Sequence, residues 1–376
     1  MTKTDSSIIK ELRFPLTFIV VMQHCMGNVY YGFDWADLSG ADYYNIVKLA
    51  FSGIIALIGV PAFFFISGYL FFNKVTQYDL GVYKKKLKSR FQSLMIPYLL
   101  WPIIIIPMVI AVMWIKIKFT GAEGSISDYL ASIDFKHMFW DHQRSLTEQV
   151  NLLGMQTLKT KPLMGTFWFV RDLIIMALLS PLVYLFVRRL RIWGIAILGA
   201  LFLLRVWPHI SLSSSSVFFF TLGSYLSLND KSLYLENKTA RYAIYLITAV
   251  AFVVTLILYG TSPYWCYQAD PLFTLAGTLA AVNIAYEYTK RGQSLFNRPL
   301  LSNSSFFVYA LHHDVALPLG FFAGKMLFMH TTNAWLLCLQ YFAVPIIIYA
   351  MCVVVYVMME KWTPKLLGLL TGNRNS

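Results

Sequence analysis

Arg13 and His24 lie eleven positions apart in the first apolar stretch of the chain. Eleven residues make about three turns of α-helix, so both side chains would leave one face roughly 16 Å apart along the axis. An imidazole in an apolar segment can take and return protons, and a guanidinium at the segment's edge can grip a phosphate or carboxylate. An ionisable group at the centre of a bilayer costs about 2.5 to 3.5 kcal/mol even on lenient insertion scales, so it is seldom idle. The structural alternative, a histidine hydrogen-bonded to a neighbouring helix, stays open at this level.

Composition places this pair in a membrane. Of the 376 residues 58% are hydrophobic and 13% charged, well below the quarter or so of charged residues usual in a soluble domain. The apolar residues recur in segments of about twenty along the whole chain, which predicts an all-α, polytopic transmembrane helix bundle. About ten spans are predicted, near residues 13–33, 46–72, 92–117, 166–187, 192–208, 214–229, 241–260, 271–289, 304–327 and 334–359. The sixth is short and follows the serine run Ser211–Ser216, so a tilted or partly re-entrant segment fits nearly as well. Residues 1–376 are expected to form a single membrane domain, with a short tail over 360–376. Met1–Glu11 is polar and lacks the apolar core of a signal peptide, so Met1 and the first helix are expected to be retained.

The formal charge of +13 follows this topology and does not call for nucleic acid. Lys3, Lys10, the Lys84–Arg90 run, Arg188, Arg189, Arg191, Lys290, Arg291, Lys361 and Arg374 cluster at alternate ends of the spans, which puts both termini in the cytoplasm. The lysine run also suits acidic membrane lipid. Cys25, Cys266, Cys338 and Cys352 show no CxxC spacing and read as small core residues. The longest loop, Lys118–Gly165, is expected on the outer face, either as a lid across an outer mouth or as a solvated loop. Within it His137 and His142 are five apart, a poor spacing for helical metal ligands, and no metal is assigned.

Polar groups recur inside or beside the spans: His24, Ser67, Tyr69, Trp168, Arg171, Asp172, Arg205, Glu287, His312, His313 and Asp314. In lipid they would turn inward around a cavity or pair across helices. Arg171 and Asp172 read first as a structural ion pair near the outer face, and Glu287 as a side chain reaching for the interface. Arg90 begins a span, where its guanidinium could hold a phosphate through two hydrogen bonds. These residues alone leave two classes open, a group-transfer enzyme and a proton-coupled secondary transporter or flippase.

Several motifs occur together in one order: Arg13 and His24 with ten residues between them, FFFISGYL within residues 63–70, Arg90 leading to Pro97 and Tyr98, FWFVRDL at Phe167–Leu173, and SFFVYALH at Ser305–His312. Together they resemble acyltransferase family 3, integral membrane enzymes of the bacterial inner membrane. The resemblance implies transfer of acetyl or a similar acyl group from acyl-coenzyme A, acetyl-CoA in the simplest case, to a sugar of a surface polysaccharide or lipid-linked glycan. It implies His24 as general base, His312 as a second catalytic group orienting the acceptor or stabilising charge, Arg13, Arg90, Ser67 and Tyr69 around the donor, and Trp168 and Arg171 along the substrate path. Lys88 and Ser93 stand where the family often has further arginines, so the phosphate-binding set is incomplete by that pattern. The soluble domain that some members carry after the membrane part is also missing, so the chain is expected to act alone or with a separate partner.

Overall fold

Thr2 and Asp5 form a reciprocal cap at the start of the first helix, Lys3–His24: the threonine hydroxyl accepts from the Asp5 N–H at 3.0 Å and the carboxylate accepts from the Thr2 N–H at 3.1 Å. This computed structural model describes residues 2–120, 124–328 and 331–373, so Met1 and Arg374 fall outside the described residues. The helix begins ten residues before the apolar segment and ends at His24, where residues 25–39 continue without regular structure up to the Ser39 cap. Arg13 is therefore mid-helix and His24 terminal, not an edge residue and a central one. The polar start is helical because its charges are satisfied internally. Asp5 is 1% exposed and accepts from the Tyr69 hydroxyl at 3.1 Å, while Ile8, Ile9 and Leu12 are buried on the same helix.

Every other apolar segment also contains helix. The chain continues through Gly40–Phe72, Leu80–Phe119, Trp168–Leu178, Ser180–Leu203, Ser214–Leu228, Lys238–Thr261, Pro263–Lys290, Pro299–Leu327 and Ala334–Trp362, and closes with the short Pro364–Thr371 helix. Among the described residues five of these are long and apolar enough to cross a membrane, or six if Gly165–Leu178 and Ser180–Leu203, bent by 67°, form one broken span. The Ser180–Leu203 helix is itself interrupted at Arg191, whose φ of 50° is non-helical. Glu287 does not reach for an interface, because its carboxylate pairs with the Arg241 Nε at 2.8 Å.

Small residues let two of these helices touch backbone to backbone. A Cβ on Gly68 would sit 2.0 Å from the Phe220 carbonyl oxygen, and one on Gly223 would sit 2.0 Å from that of Phe65. The glycine of the FFFISGYL stretch thus serves helix packing. Around this crossing an apolar core joins Leu16, Val20, Phe64, Phe65, Phe167, Phe219, Phe307 and Ile348.

The long loop is folded and fastened to the helices. It contains the Ile126–Ala131 helix and an antiparallel hairpin, Gln143–Leu146 with Leu158–Lys161, in which Gln143 faces Lys161. The Tyr98 hydroxyl donates to the Phe139 carbonyl and the Tyr309 hydroxyl to that of Thr166. Arg171, 3% exposed, donates to the carbonyls of Trp140 at 2.6 Å and Ser211 at 2.7 Å, to the Thr160 hydroxyl at 3.0 Å and to Asp172 at 3.0 Å. Asp172 in turn accepts from the Ser213 N–H at 3.0 Å, just before the Ser214–Leu228 helix.

One contact aligns the first helix with the Pro299–Leu311 helix. The Glu11 carboxylate, 5% exposed, accepts from the Ser294 hydroxyl and from the N–H groups of Leu295, Phe296 and Asn297 at 2.7 to 3.1 Å. Replacing Glu11 by Ala leaves three backbone donors without that acceptor, so unfolding in detergent micelles should become easier by about 3 kcal/mol, given about 1.5 to 3 kcal/mol per charged hydrogen bond and partial rescue by water. A thermal or denaturant titration of the purified variant checks this.

Candidate active site

Two clusters, one cationic and one of histidines, are joined by the first helix. The cationic one is a cavity of about 550 Å³. It is bounded by Ile9, Arg13 and Thr17 of the first helix, by Phe63, Ile66, Ser67 and Leu70, by Ser89, Arg90, Gln92, Ser93 and Leu94, by Phe169 and Leu173, and by the polar run Ser302, Asn303 and Ser305 with Tyr309. Gly372 and Asn373 complete the wall. No Asp or Glu lines it, and among the described residues no carboxylate lies within ion-pair distance of Arg13 or Arg90. Two guanidinium groups without a counter-ion make this a site for an anion. The Arg90 guanidinium also lies 5.5 Å from the centroid of the Phe71 ring, which steadies it.

A local sequence device opens this wall. Pro97 has no N–H for the Ser93 carbonyl four residues earlier, and the chain answers with a π-helical turn over Phe91–Met95, directly after Arg90. Gly372 passes over that turn with φ of 67°, so close that a Cβ there would lie 2.5 Å from the Ser93 oxygen. Only glycine suits both the conformation and the gap.

The same device builds the histidine cluster. Pro318 lies four residues after Asp314, and a π-helical turn spans His312–Ala316. The His24 ring lies 5.1 Å from that of His312 and 4.5 Å from that of His313, centroid to centroid. His312 is fully buried, and its Nδ1 lies 2.8 Å from the Tyr309 carbonyl and 3.2 Å from that of Val308. Carbonyls only accept, so Nδ1 carries the hydrogen and Nε2 keeps a lone pair. That Nε2 is buried and has no hydrogen-bond partner among the described groups. The His313 Nδ1 lies 2.7 Å from Asp314 Oδ1. Tyr309 connects the two clusters, because it lines the cavity and its ring lies 6.3 Å from that of His312.

The structure gathers part of the predicted set. Arg13, Arg90 and Ser67 share the cavity wall, and His24 and His312 share the histidine cluster. Tyr69 is turned away from the cavity toward Asp5. Trp168 is half-buried with its ring 5.9 Å from that of Phe64, and it too lies off the cavity. Arg171 is occupied in holding the long loop. Arg205 meets Asp270 at 3.6 Å and stacks 3.7 Å over the Tyr267 ring, apart from both clusters. Ser302, Asn303, Ser305, Gln92 and Asn373 were not anticipated as lining residues, and Ser93 figured only as a departure from the family's arginines. The first three had a visible signal, a polar run in an otherwise apolar helix.

Comparison with known proteins bears on the family. A family model described as an acyltransferase domain matches residues 10–359. The succinoglycan biosynthesis protein ExoH of Rhizobium meliloti (strain 1021) is 27% identical over 329 residues, covering 84% of this chain and 79% of that protein. The glucans biosynthesis protein C of Escherichia coli O139:H28 (strain E24377A / ETEC) is 30% identical over 138 residues, 35% of this chain and 34% of that protein. Its counterpart in Escherichia coli O9:H4 (strain HS) is 32% identical over 109 residues, 27% of each chain. No solved structure gives a significant match. With the family match running through Arg13, His24, Arg90 and His312, the chain belongs to acyltransferase family 3 and is a membrane enzyme of the O-acyltransferase type.

Proposed function

We propose that this enzyme transfers a short acyl group, acetyl in the simplest case, from acyl-coenzyme A to a hydroxyl of a surface polysaccharide or lipid-linked glycan. The observation that carries the reading is the cavity with two unpaired guanidinium groups and no acid, joined through Tyr309 to a cluster of three histidines. Anionic phosphates of the donor suit the first, and proton transfer suits the second. The roughly 16 Å of helix from Arg13 to His24 is a length the extended pantetheine arm can bridge. The similarity to a succinoglycan biosynthesis protein supports a glycan acceptor. Ten spans, both termini in the cytoplasm and residence in the bacterial cytoplasmic membrane complete the proposal, with one membrane domain carrying the whole reaction.

In this mechanism His24 takes the proton of the acceptor hydroxyl as its oxygen attacks the thioester carbonyl. The tetrahedral intermediate collapses, the C–S bond breaks and the thiolate receives the proton back from His24. His312, fixed with its Nδ1–H on a backbone carbonyl, offers Nε2 as an acceptor that can orient the incoming hydroxyl. In that tautomer it does not donate to an oxyanion. Lys161, exposed at the end of the outer hairpin, places a positive charge within electrostatic reach of His24 and is suited to the developing oxyanion. Arg13, Arg90 and Ser67 hold the donor. Tyr69 supports that wall from behind through Asp5, Trp168 borders the acceptor path, and Arg171 shapes the path by fastening the outer loop over it.

Purified protein in lipid nanodiscs, given radiolabelled acetyl-CoA and a glycan fraction from the producing cells, should release free coenzyme A and label the glycan. Movement of either molecule across the bilayer without thiol release would instead mark a carrier. Replacing His24 by Ala should lower turnover by about 10² to 10⁴ while donor affinity persists; retained turnover sinks the base assignment. Replacing Arg13 or Arg90 by Ala should weaken donor binding about ten- to a hundredfold, as expected for losing one or two charge-assisted hydrogen bonds. Isothermal titration with coenzyme A reads this directly, and unchanged affinity counts against the cavity as the donor site.

A further inference from the structure

We infer that His313 and Asp314 form a positioning pair for His24, in which the carboxylate compensates, through the His313 ring, the positive charge that His24 gains on taking the acceptor's proton. The inference rests on the acyl-transfer reading for its chemistry, and on geometry alone for the coupling.

His313 is the nearer of the two imidazoles to His24, edge to face at 4.5 Å against 5.1 Å for His312. Its Nδ1 lies 2.7 Å from Asp314 Oδ1, and the two side chains are 34% and 22% exposed. An ionised carboxylate only accepts, so Nδ1 of His313 carries the hydrogen and its Nε2 presents a lone pair. The second carboxylate oxygen of Asp314, Oδ2, is buried and has no hydrogen-bond partner among the described groups. A carboxylate with one bare buried oxygen beside three imidazoles is an expensive arrangement unless a positive charge appears nearby.

The surroundings leave Asp314 as the source of compensation. The π-helical turn brings His312, His313 and Asp314 to the end of the first helix, where His24 and Cys25 stand. The Pro299–Leu311 helix adds Tyr309, whose hydroxyl is committed to Thr166, and the Ala334–Trp362 helix adds Tyr341, bonded to Ser52 at 2.6 Å. The outer segment adds the cation Lys161 and Tyr129, whose hydroxyl is pushed up by partial burial and then by the negative charge of Asp314. The Leu80–Phe119 helix carries Lys116 and Lys118 in its last turns, and Leu317–Leu327 carries Lys325 in its last turn. The charged or titratable groups acting directly on His24 are His312, His313 and Lys161, so Asp314 reaches it by way of the His313 ring. Proton balance is unaffected. The hydroxyl proton goes to His24 as the C–O bond forms and to sulfur as the C–S bond breaks, while His313 and Asp314 keep their own protonation states.

Diethyl pyrocarbonate, which acylates neutral imidazole, reads this coupling without turnover. The full chain in nanodiscs would be labelled from about pH 8 downward until the protein unfolds, well past the range of a free imidazole, and modification at His24 followed by site-resolved mass spectrometry. In the wild type His24 reactivity should fall on acidification. In Asp314→Asn the midpoint should move down by about one pH unit, the order of effect of one nearby charge at an effective dielectric near 20. Asp314→Glu should restore it, and His313→Gln should reproduce the loss. Turnover of acetyl-CoA by Asp314→Asn should fall about tenfold, less than the roughly 10² to 10⁴ expected for the base itself, with its acid limb moved the same way. An unmoved midpoint in Asp314→Asn overturns the coupling, as does a wild-type His24 that stays fully reactive throughout. An effect of Asp314→Asn with none of His313→Gln overturns the relay through His313. A moved midpoint in a protein that transfers no acyl group upholds the coupling and overturns the acyl-transfer reading. Coenzyme A affinity, measured on each variant, separates these results from misfolding.

Discussion

The Glu11 carboxylate accepts four hydrogen bonds from the turn at 294–297, and the relative register of two helices follows from that contact. Burying a carboxylate costs several kcal/mol unless donors replace its water, and here three backbone N–H groups and a hydroxyl do so. With Glu11 fixed to the start of the Pro299–Leu311 helix, Arg13 falls opposite Ser302, Asn303 and Ser305 across the cavity. About thirteen residues further along each helix, or some 20 Å, His24 meets His312 and His313. A slip by one turn would move both meetings together, because a helix between two fixed contacts behaves as a rod.

The two ends of that rod are built by the same local chemistry. Pro97 and Pro318 each remove a helical hydrogen bond, and each is preceded by a π-helical turn that carries the polar groups of its cluster. The turns free backbone for other contacts: the first receives Gly372, and the second places three titratable side chains in succession. Electrostatics then divides the labour. Among the described residues the cavity is cationic without an acidic partner, which suits an anion. The histidine cluster is near neutral with one carboxylate, so it tolerates a transient proton. Between them stands Tyr309, whose ring packs edge to face against that of Phe169 at 5.7 Å.

Much of this was legible before any coordinates. Apolar segments of about twenty residues marked the long helices but not the short Ile126–Ala131 and Pro364–Thr371 ones, and the helical rise between Arg13 and His24 holds because both lie on Lys3–His24. The helix boundaries failed where charge was internal. Asp5 and Glu11 made Met1–Glu11 read as a polar stretch before the first span, yet Tyr69 and the 294–297 turn supply the partners that let residues 3–11 fold as helix. Pairings across helices were equally hidden, since nothing in the local sequence says that Glu287 meets Arg241 or that Arg171 reaches Trp140. The cavity wall was half visible. Arg13, Arg90 and Ser67 stood out by type, whereas Gly372 and Asn373 enter only because the last short helix folds back onto the turn after Arg90.

The central claim is that one continuous path runs from the arginine cavity to His24, with the donor's phosphates at one end and its acyl carbon at the other. A cryo-electron microscopy structure with a thioether analogue of acetyl-CoA, which cannot transfer its acyl group, tests it most directly. The account predicts phosphate density within hydrogen-bond distance of Arg13 and Arg90, and the analogue's carbonyl beside His24. Phosphates bound elsewhere, or an acyl end directed away from the histidines, would contradict it.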